Sequence, residues 1–264
     1  IMFIAYMQLF KKMGLKAIPM KADTGPIGGD LSHEFIILAD TGESEVYVDK
    51  QLLNIDDSFL KINYNDDLQE KVNKFTSLYA ATEEKHDVNN FDHKYNTLIK
   101  TRGIEVGHIF HFGQKYSLPM RATISDSVGE NIPVFMGSYG VGLSRLVGAV
   151  IEANHDQKGI IWPKEVTPWD YNIINLKCGD IDCDKICSEL YNAMNNNEIK
   201  VLYDDTEERA GAKLARADLI GLPYQIIIGS KGIKDQLYDL KCRKSGDISR
   251  LSFDELLNFV QTNQ

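Results

Sequence analysis

The stretch Gly137-Ser138-Tyr139-Gly140-Val141-Gly142-Leu143-Ser144-Arg145 sets three glycines between two apolar runs. The run before it, Ile132 to Met136, reads as a strand. The run after it, Val141 to Glu152, repeats with the period of a buried helix. Glycine at such a junction lets backbone approach a ligand closely, and the helix start that follows favours an anion. Two common phosphate-binding patterns do not fit. The spacing is G-x-G-x-x-R rather than G-x-G-x-x-G, no βαβ unit with a ribose-binding acid follows, and no Gly-Lys-Ser/Thr is present. What remains is an arginine on the first turn of a helix, behind glycine-opened space, where a fixed cation can reach a triphosphate. Taken alone, the same residues also describe a helix-packing glycine pair with a surface arginine.

Toward the N-terminus, Glu105 to Phe112 (EVGHIFHF) reads as a strand, and residues 3–13 as an amphipathic helix closed by Gly14. Ala17 to Met20 is a short strand, and Asp23 to Asp30 (DTGPIGGD) a glycine-rich turn. His33–Ala39 and Glu45–Val48 are strands joined through Asp40-Thr41-Gly42. Residues 49–100 are polar, with one helical stretch near Leu68–Ala81, and read as an insertion or connector outside the main core. Gly159-Ile160-Ile161-Trp162-Pro163 with Pro168 marks a boundary, giving domains of 1–165 and 168–264. Beyond it the pattern is β-α-β-α-β. Strands fall at 171–176, 200–203 and 225–228, helices at 181–194 and 208–219, then strands near 237–242 and 248–251 and a helix at 254–261. This alternation predicts an α/β domain of about 95 residues.

Composition sets limits. The 264 residues are 43% hydrophobic and 25% charged, the balance of a globular chain. No apolar run is long enough for a membrane span, and the apolar start Ile1–Tyr6 has neither a basic lead nor a cleavage site, so a cytoplasmic protein is expected. The net charge of −9 does not suggest a nucleic-acid binder as a whole. Much of the acidity is local, in Asp56, Asp57, Asp66, Asp67, Glu70, Glu83 and Glu84. Cys178, Cys183, Cys187 and Cys242 lack zinc-site spacing and a nearby histidine, so reduced thiols and no protein-held metal are expected.

Several stretches, in order along the chain, resemble bacterial-type prolyl-tRNA synthetases, members of the class II aminoacyl-tRNA synthetases. They are Ala22–Phe35 (ADTGPIGGDLSHEF), Glu105–Phe110 with Lys115-Tyr116-Ser117, Met136–Arg145, which is similar to motif 3, and Gly159–Pro163. In the last third, Tyr203–Lys213 (YDDTEERAGAK) and Ala217–Pro223 (ADLIGLP) continue the likeness. The resemblance implies an α/β chain. Its first part is the end of an α+β catalytic domain, an antiparallel sheet with helices, and an α/β anticodon-binding domain follows. It implies ATP-dependent activation of proline, with Mg2+, and transfer to tRNA(Pro), by a homodimer.

The resemblance also implies roles. Arg145 is the catalytic clamp on the ATP γ-phosphate, with Glu105, His108 and Gly142 at the nucleotide or its magnesium. Glu34 faces the prolyl ammonium, Phe110 walls the pyrrolidine ring, and Gly137, Ser138 and Gly140 floor the pocket. Ser138 stands where some members have cysteine. His33 supports the site without touching substrate. Glu207, Glu208, Arg209 and Lys213 are expected at the anticodon, with Arg216 and Lys231 as further phosphate contacts. The family's motifs 1 and 2 have no counterpart here, so the 264 residues alone are not expected to activate proline. The polar 49–100 segment stands where many members carry an alanine-editing domain, and no editing in cis is expected. Another class II ligase, or a non-catalytic tRNA-binding paralogue, are the alternative readings.

Overall fold

A computed structural model describes residues 1–29, 31–54, 63–65, 67–87 and 97–263. They form two compact units, Ile1–Ala153 and Asn154–Gln264.

In the first unit, helix α1 (Met2–Lys12) buries Phe3, Tyr6, Met7 and Phe10, an i, i+3, i+4, i+7 stripe. Strands β1 (Ala17–Lys21), β2 (Leu31–Leu38) and β3 (Ser44–Asp49) follow, then helix α2 (Leu68–Thr76), the short β4 (Ala80–Thr82) and the long β5 (Leu98–Gly113). After one turn of helix, α3 (Ser117–Met120), come the hairpin β6 (Thr123–Ser125) and β7 (Asn131–Pro133), strand β8 (Met136–Val141) and helix α4 (Leu143–Ala153). The pairings β1–β2, β2–β5, β5–β3, β3–β4 and β4–β1 close a ring of five strands. Strand β8 joins the second half of β5 as a sixth. The α1 stripe packs on Phe35 at the centre of β2. Ring centroids of Phe3, Tyr6 and Phe10 lie 5.6, 5.1 and 5.8 Å from it. Such a fully buried aromatic cluster contributes ~3–5 kcal/mol per ring against alanine.

Two expectations change here. The helix expected over 68–81 stops at Thr76, capped at its start by the Asp67 carboxylate. Ala80-Ala81-Thr82 instead forms β4, buried between β1 and β3. This piece of the connector therefore belongs to the core sheet, because three small residues fit a crowded central strand. Asp30, Asp56, Asp57 and Asp66 lie outside the described residues, as do 55–62 and 88–96.

The second unit opens with a two-stranded ribbon, β9 (His155–Asp156) and β10 (Gly159–Ile160). Then come β11 (Tyr171–Asn175), α5 (Ile181–Asn196), β12 (Val201–Asp204), α6 (Ala210–Ile220), β13 (Tyr224–Ile228), α7 (Ser230–Asp235), β14 (Tyr238–Cys242), β15 (Ile248–Leu251) and α8 (Phe253–Thr262). The sheet order is β12-β11-β13-β14-β15, with the first three strands parallel and the last two antiparallel. Tyr171, Ile173, Ile226 and Leu240 on one face pack with Leu190 and Met194 of α5 and Leu256 and Val260 of α8. Asn172, Gln225 and Lys241 form a cross-strand row on the other face. There Asp218 of α6 accepts from Gln225 at 2.9 Å and from Lys241 at 2.5 Å. The result is three layers. Helix α8 is held at its start by a Ser252/Glu255 capping box.

Residues 154–163 pack with this second unit, so the division falls at 153/154 rather than at the expected 165/168. Arg243, itself 4% exposed, makes a bidentate pair with Asp156 at 2.7 and 2.8 Å. The Trp162 indole donates to the Ile220 carbonyl at 2.9 Å. Gly221, at φ +77°, passes against the backbone of Ile160 where no Cβ would fit. A reading that takes Pro163 and Pro168 as the linker misses these contacts.

No helix among the described residues is long and apolar enough to cross a membrane. All four cysteines are free. Burial pushes the thiols of Cys183 and Cys187 up, to about 11 and about 12, which keeps them unreactive. Among the described residues no cysteine belongs to a group that could hold a metal ion.

Candidate active site

The site is built where β2, β5 and β8 run side by side. Their register sets Glu34 opposite His108, and His108 opposite Gly140. One step along, Ser32 faces Phe110, and Phe110 faces Ser138. Because side chains alternate along a strand, these six positions share one face of the sheet. The other face carries Phe35 and His33 and is covered by α1. His33 packs edge-on against Phe3, and burial lowers its pKa to about 4, so it is a neutral core histidine.

Alternation alone would turn Glu105 away from His108. A β-bulge prevents this: Phe35 pairs with Gly107 but Ile36 pairs with Glu105, so Val106 is an extra residue in β5. The bulge brings Glu105 round to the His108 face. Its Oε1 lies 3.2 Å from Nδ1 of His108, and its Oε2 lies 3.3 Å from Nη1 of Arg145. Arg145 stands on the first turn of α4 and also donates to the Glu105 carbonyl at 3.1 Å. Glu43, from the β2–β3 turn, approaches the same guanidinium at 3.6 Å.

The three glycines do not all stand between strand and helix as expected. Gly137 and Gly140 lie within β8, and only Gly142 stands at the strand–helix junction, where its N–H donates to the Val106 carbonyl at 3.0 Å. None of the three has positive φ, so they provide space rather than an unusual backbone conformation. A Cβ on Gly140 would meet nothing within 4 Å, whereas one on Gly137 would strike Tyr139 and the Phe110 carbonyl. Register turns Gly137 to the opposite face. Ser138 and Gly140 thus border Glu34, His108 and Phe110, and Gly137 does not. Beside this floor, the Gly25–Ile27 turn is tied down by Lys115 and Tyr116, which both donate to the Ile27 carbonyl, at 2.7 and 2.5 Å.

Burial dominates the electrostatics at Glu34. It pushes the carboxyl up to about 7, helped by the charges of Glu105 and Glu84 and opposed by that of Arg145. Glu105 goes the other way. The hydrogen bond from His108, with the charge of Arg145, holds it below the usual carboxylate range against burial. Two neighbouring carboxyls are thereby driven apart, a common sign of a working site. Sequence reasoning missed three participants: Ser32, Glu43 and Glu84. Ser32, two residues before Glu34 on the same strand, could have been found from alternation. Glu43 and Glu84 come from turns that only the tertiary fold brings near.

In the second unit, α6 begins at Ala210, two residues after the expected start. Glu207, Glu208 and Arg209 therefore lie exposed on the link from β12. Glu208 pairs with Arg216 at 2.8 Å. Lys213 is corrected. Its side chain is fully buried, and its ammonium donates to the carbonyls of Asn175 (2.5 Å) and Asp204 (3.2 Å), with the Asp204 carboxylate at 3.5 Å. An RNA phosphate cannot reach it. Lys213 and Ala217, one helical turn apart, both face inward. A cleft of about 400 Å³ opens at the carboxyl ends of β11 and β13, bordered by Lys177, Ser230, Lys231 and Arg250.

Residues 170–263 match the family model described as "Anticodon binding domain". Over nearly its whole length the chain is similar to bacterial proline–tRNA ligases. It is 53% identical over 263 residues to that of Caulobacter vibrioides (strain NA1000 / CB15N) and 54% identical over 258 residues to that of Rhodospirillum rubrum. The chain is thus strongly similar to part of the bacterial proline–tRNA ligases. Each of these alignments covers 97% of the chain and 58% of the relative, so the chain spans a little over half the length of the curated relatives it matches. The fold agrees. A crystal structure of prolyl-tRNA synthetase from Cryptosporidium parvum, complexed with halofuginone and AMPPNP, superimposes with a TM-score of 0.65 at 14% identity. That match covers 98% of this chain and 42% of the other.

Proposed function

We propose that this chain forms the nucleotide-clamping end of the catalytic domain, and the anticodon-binding domain, of an ATP-dependent proline–tRNA ligase. The observation that carries the reading is Arg145, fixed by Glu105 on the first turn of a helix, beside a sheet floor left open at Gly140.

The chemistry runs in two steps. The proline carboxylate attacks the α-phosphate of ATP, an O–P bond forms, and pyrophosphate leaves. The terminal ribose hydroxyl of tRNA(Pro) then takes the prolyl group and releases AMP. Neither step needs a covalent bond to the protein, so positioning and charge neutralisation do the catalysis. Arg145 moves from Glu105 to the γ-phosphate, a charge-assisted exchange between two anions. Glu34, ionised, meets the secondary ammonium of proline. The Phe110 ring gives the pyrrolidine an apolar wall, and Ser138 and Gly140 leave room for it. Gly142 keeps the backbone low where the nucleotide enters.

Mg2+ arrives with ATP. Glu34, Glu105 and His108 present ligand atoms within 4.8 Å of one another. The carboxylates suit a hard cation and the imidazole does not, so Glu105 is the group that fits. Magnesium there would offset phosphate charge.

For the second unit, the exposed Glu207, Glu208 and Arg209 border α6 and are the groups offered to anticodon bases and phosphates. Lys231, with Lys177 and Arg250, lines a cleft at the carboxyl ends of adjacent parallel strands, where α/β sheets commonly bind ligands. A homodimer acting in the cytoplasm is the assembly this reading expects. The test is charging. The protein that carries this sequence together with the rest of a synthetase is expected to attach radiolabelled proline to tRNA(Pro). Charging with another amino acid would point to a different class II ligase. Tight tRNA binding without charging would point to a non-catalytic paralogue.

A further inference from the structure

The imidazole of His108 is engaged at both nitrogens. Nε2 lies 2.5 Å from the Ser32 hydroxyl on β2. Nδ1 lies 3.2 Å from Oε1 of Glu105 and 3.8 Å from Oε1 of Glu34. The ring stacks on Phe110, with centroids 3.9 Å apart and planes within 18°. Glu105 passes the chain on through its second oxygen to Arg145 at 3.3 Å. One line of contacts therefore runs from Ser32 through His108 and Glu105 to Arg145, crossing β2, β5 and α4. At 4% exposure Ser32 meets little competition from water for its hydroxyl.

With the ring neutral, the donor and acceptor inventory sets the direction of this line. An ionised carboxylate only accepts, so Nδ1 must carry the proton it shares with Glu105. In a neutral ring Nε2 is then an acceptor, and a hydroxyl is the group that can donate to it. We propose that Ser32 is a positioning residue: its hydroxyl locks His108 in the Nδ1–H form, and His108 in turn holds Glu105 aimed at Arg145. His108 then has no free nitrogen for a nucleotide and acts on it through Glu105 and Arg145. When a phosphate takes the guanidinium, Glu105 keeps its His108 bond and stays in place. Only this last consequence rests on the ligase reading. The lock itself is a property of the chain.

The test uses the full chain with 15N-labelled histidine and arginine. In the wild type, long-range 1H–15N spectra are expected to give His108 a pyrrole-type Nδ1 and a pyridine-type Nε2. In Ser32→Ala the population is expected to move toward Nε2–H by about fivefold, the effect of one ordinary hydrogen bond. The Arg145 Nε–H signal, sharp in the wild type, is expected to broaden with it. Ser32→Thr, which keeps the hydroxyl, is expected to restore both. Wild-type amide dispersion in Ser32→Ala separates this effect from unfolding. An unchanged tautomer in Ser32→Ala, or an imidazolium pattern in the wild type, overturns the proposal. Neither result bears on tRNA charging, so the two readings can fail separately.

Discussion

Replacing Lys213 by methionine removes a buried ammonium while keeping its place in the core filled. The ammonium serves the Asn175 and Asp204 carbonyls and lies 3.2 Å from the Cys178 sulfur. Breaking a buried ion pair costs ~3–5 kcal/mol when the partner is left alone. Asp204 is not left alone, because Arg216 and the Thr206 hydroxyl each hold it at 2.7 Å. Methionine also buries well. The net loss is therefore about 2 kcal/mol, mostly from two carbonyls left without a donor. With a urea slope of ~1.5 kcal/mol per M for a unit this size, the midpoint falls by roughly 1.3 M. Both tryptophans, Trp162 and Trp169, lie in the second unit, so their fluorescence reports its unfolding alone. Arg209→Ala, at an exposed position, is the control and should stay within ~0.5 kcal/mol of the wild type. A Lys213→Met chain that unfolds at the wild-type midpoint, yet binds tRNA more weakly, would refute the structural role and return Lys213 to the RNA-binding surface.

Three further outcomes follow from the first unit. Glu34 has a folded pKa of about 7 against an unfolded value of ~4.3. Its contribution to stability is fully present below ~4 and is lost as pH rises through about 7, which thermal melts of the first unit over that range would track. Proline needs the ionised form, so its affinity should rise with pH up to about 7 and then level off, and Glu34→Gln should abolish the slope in calorimetric titrations. Gly140→Val places a side chain on the open floor where nothing opposes it. Stability should change by less than ~0.5 kcal/mol, while KM for proline in the complete enzyme rises at least tenfold. A large loss of stability with normal KM would mean that the floor is closed elsewhere.

Much of this was legible in the residues, and the failures have physical causes. Helix α1 and strands β2, β3 and β11 were readable because their apolar spacing is regular and turn residues bound them. Strand β4 was not, because Leu78-Tyr79-Ala80-Ala81 continues a helical pattern without a breaker. Its strand state depends on the gap between β1 and β3. The glycines of β8 suggested a junction between strand and helix, yet an extended, glycine-rich strand serves equally to clear a floor. Glu105 stood out as a candidate site residue, but the face it takes depends on a bulge that no local signal announces. Lys213 sat in a charged run that looked solvent-facing. Burial of a cation depends on acceptors from β11 and β12, far off in sequence. The arginine of G-x-G-x-x-R was the most readable feature, since its position on the first turn follows from the glycine junction alone.

The account depends on Arg145 acting on the nucleotide at this sheet. The most direct measurement is proline-dependent ATP–pyrophosphate exchange by the complete enzyme, wild type against Arg145→Ala, with Arg145→Lys alongside. The expected result is exchange that requires proline and falls by about 10²–10³ in Arg145→Ala, the usual loss for a group facing developing charge, with partial recovery in Arg145→Lys. Exchange at the wild-type rate in Arg145→Ala would contradict the account.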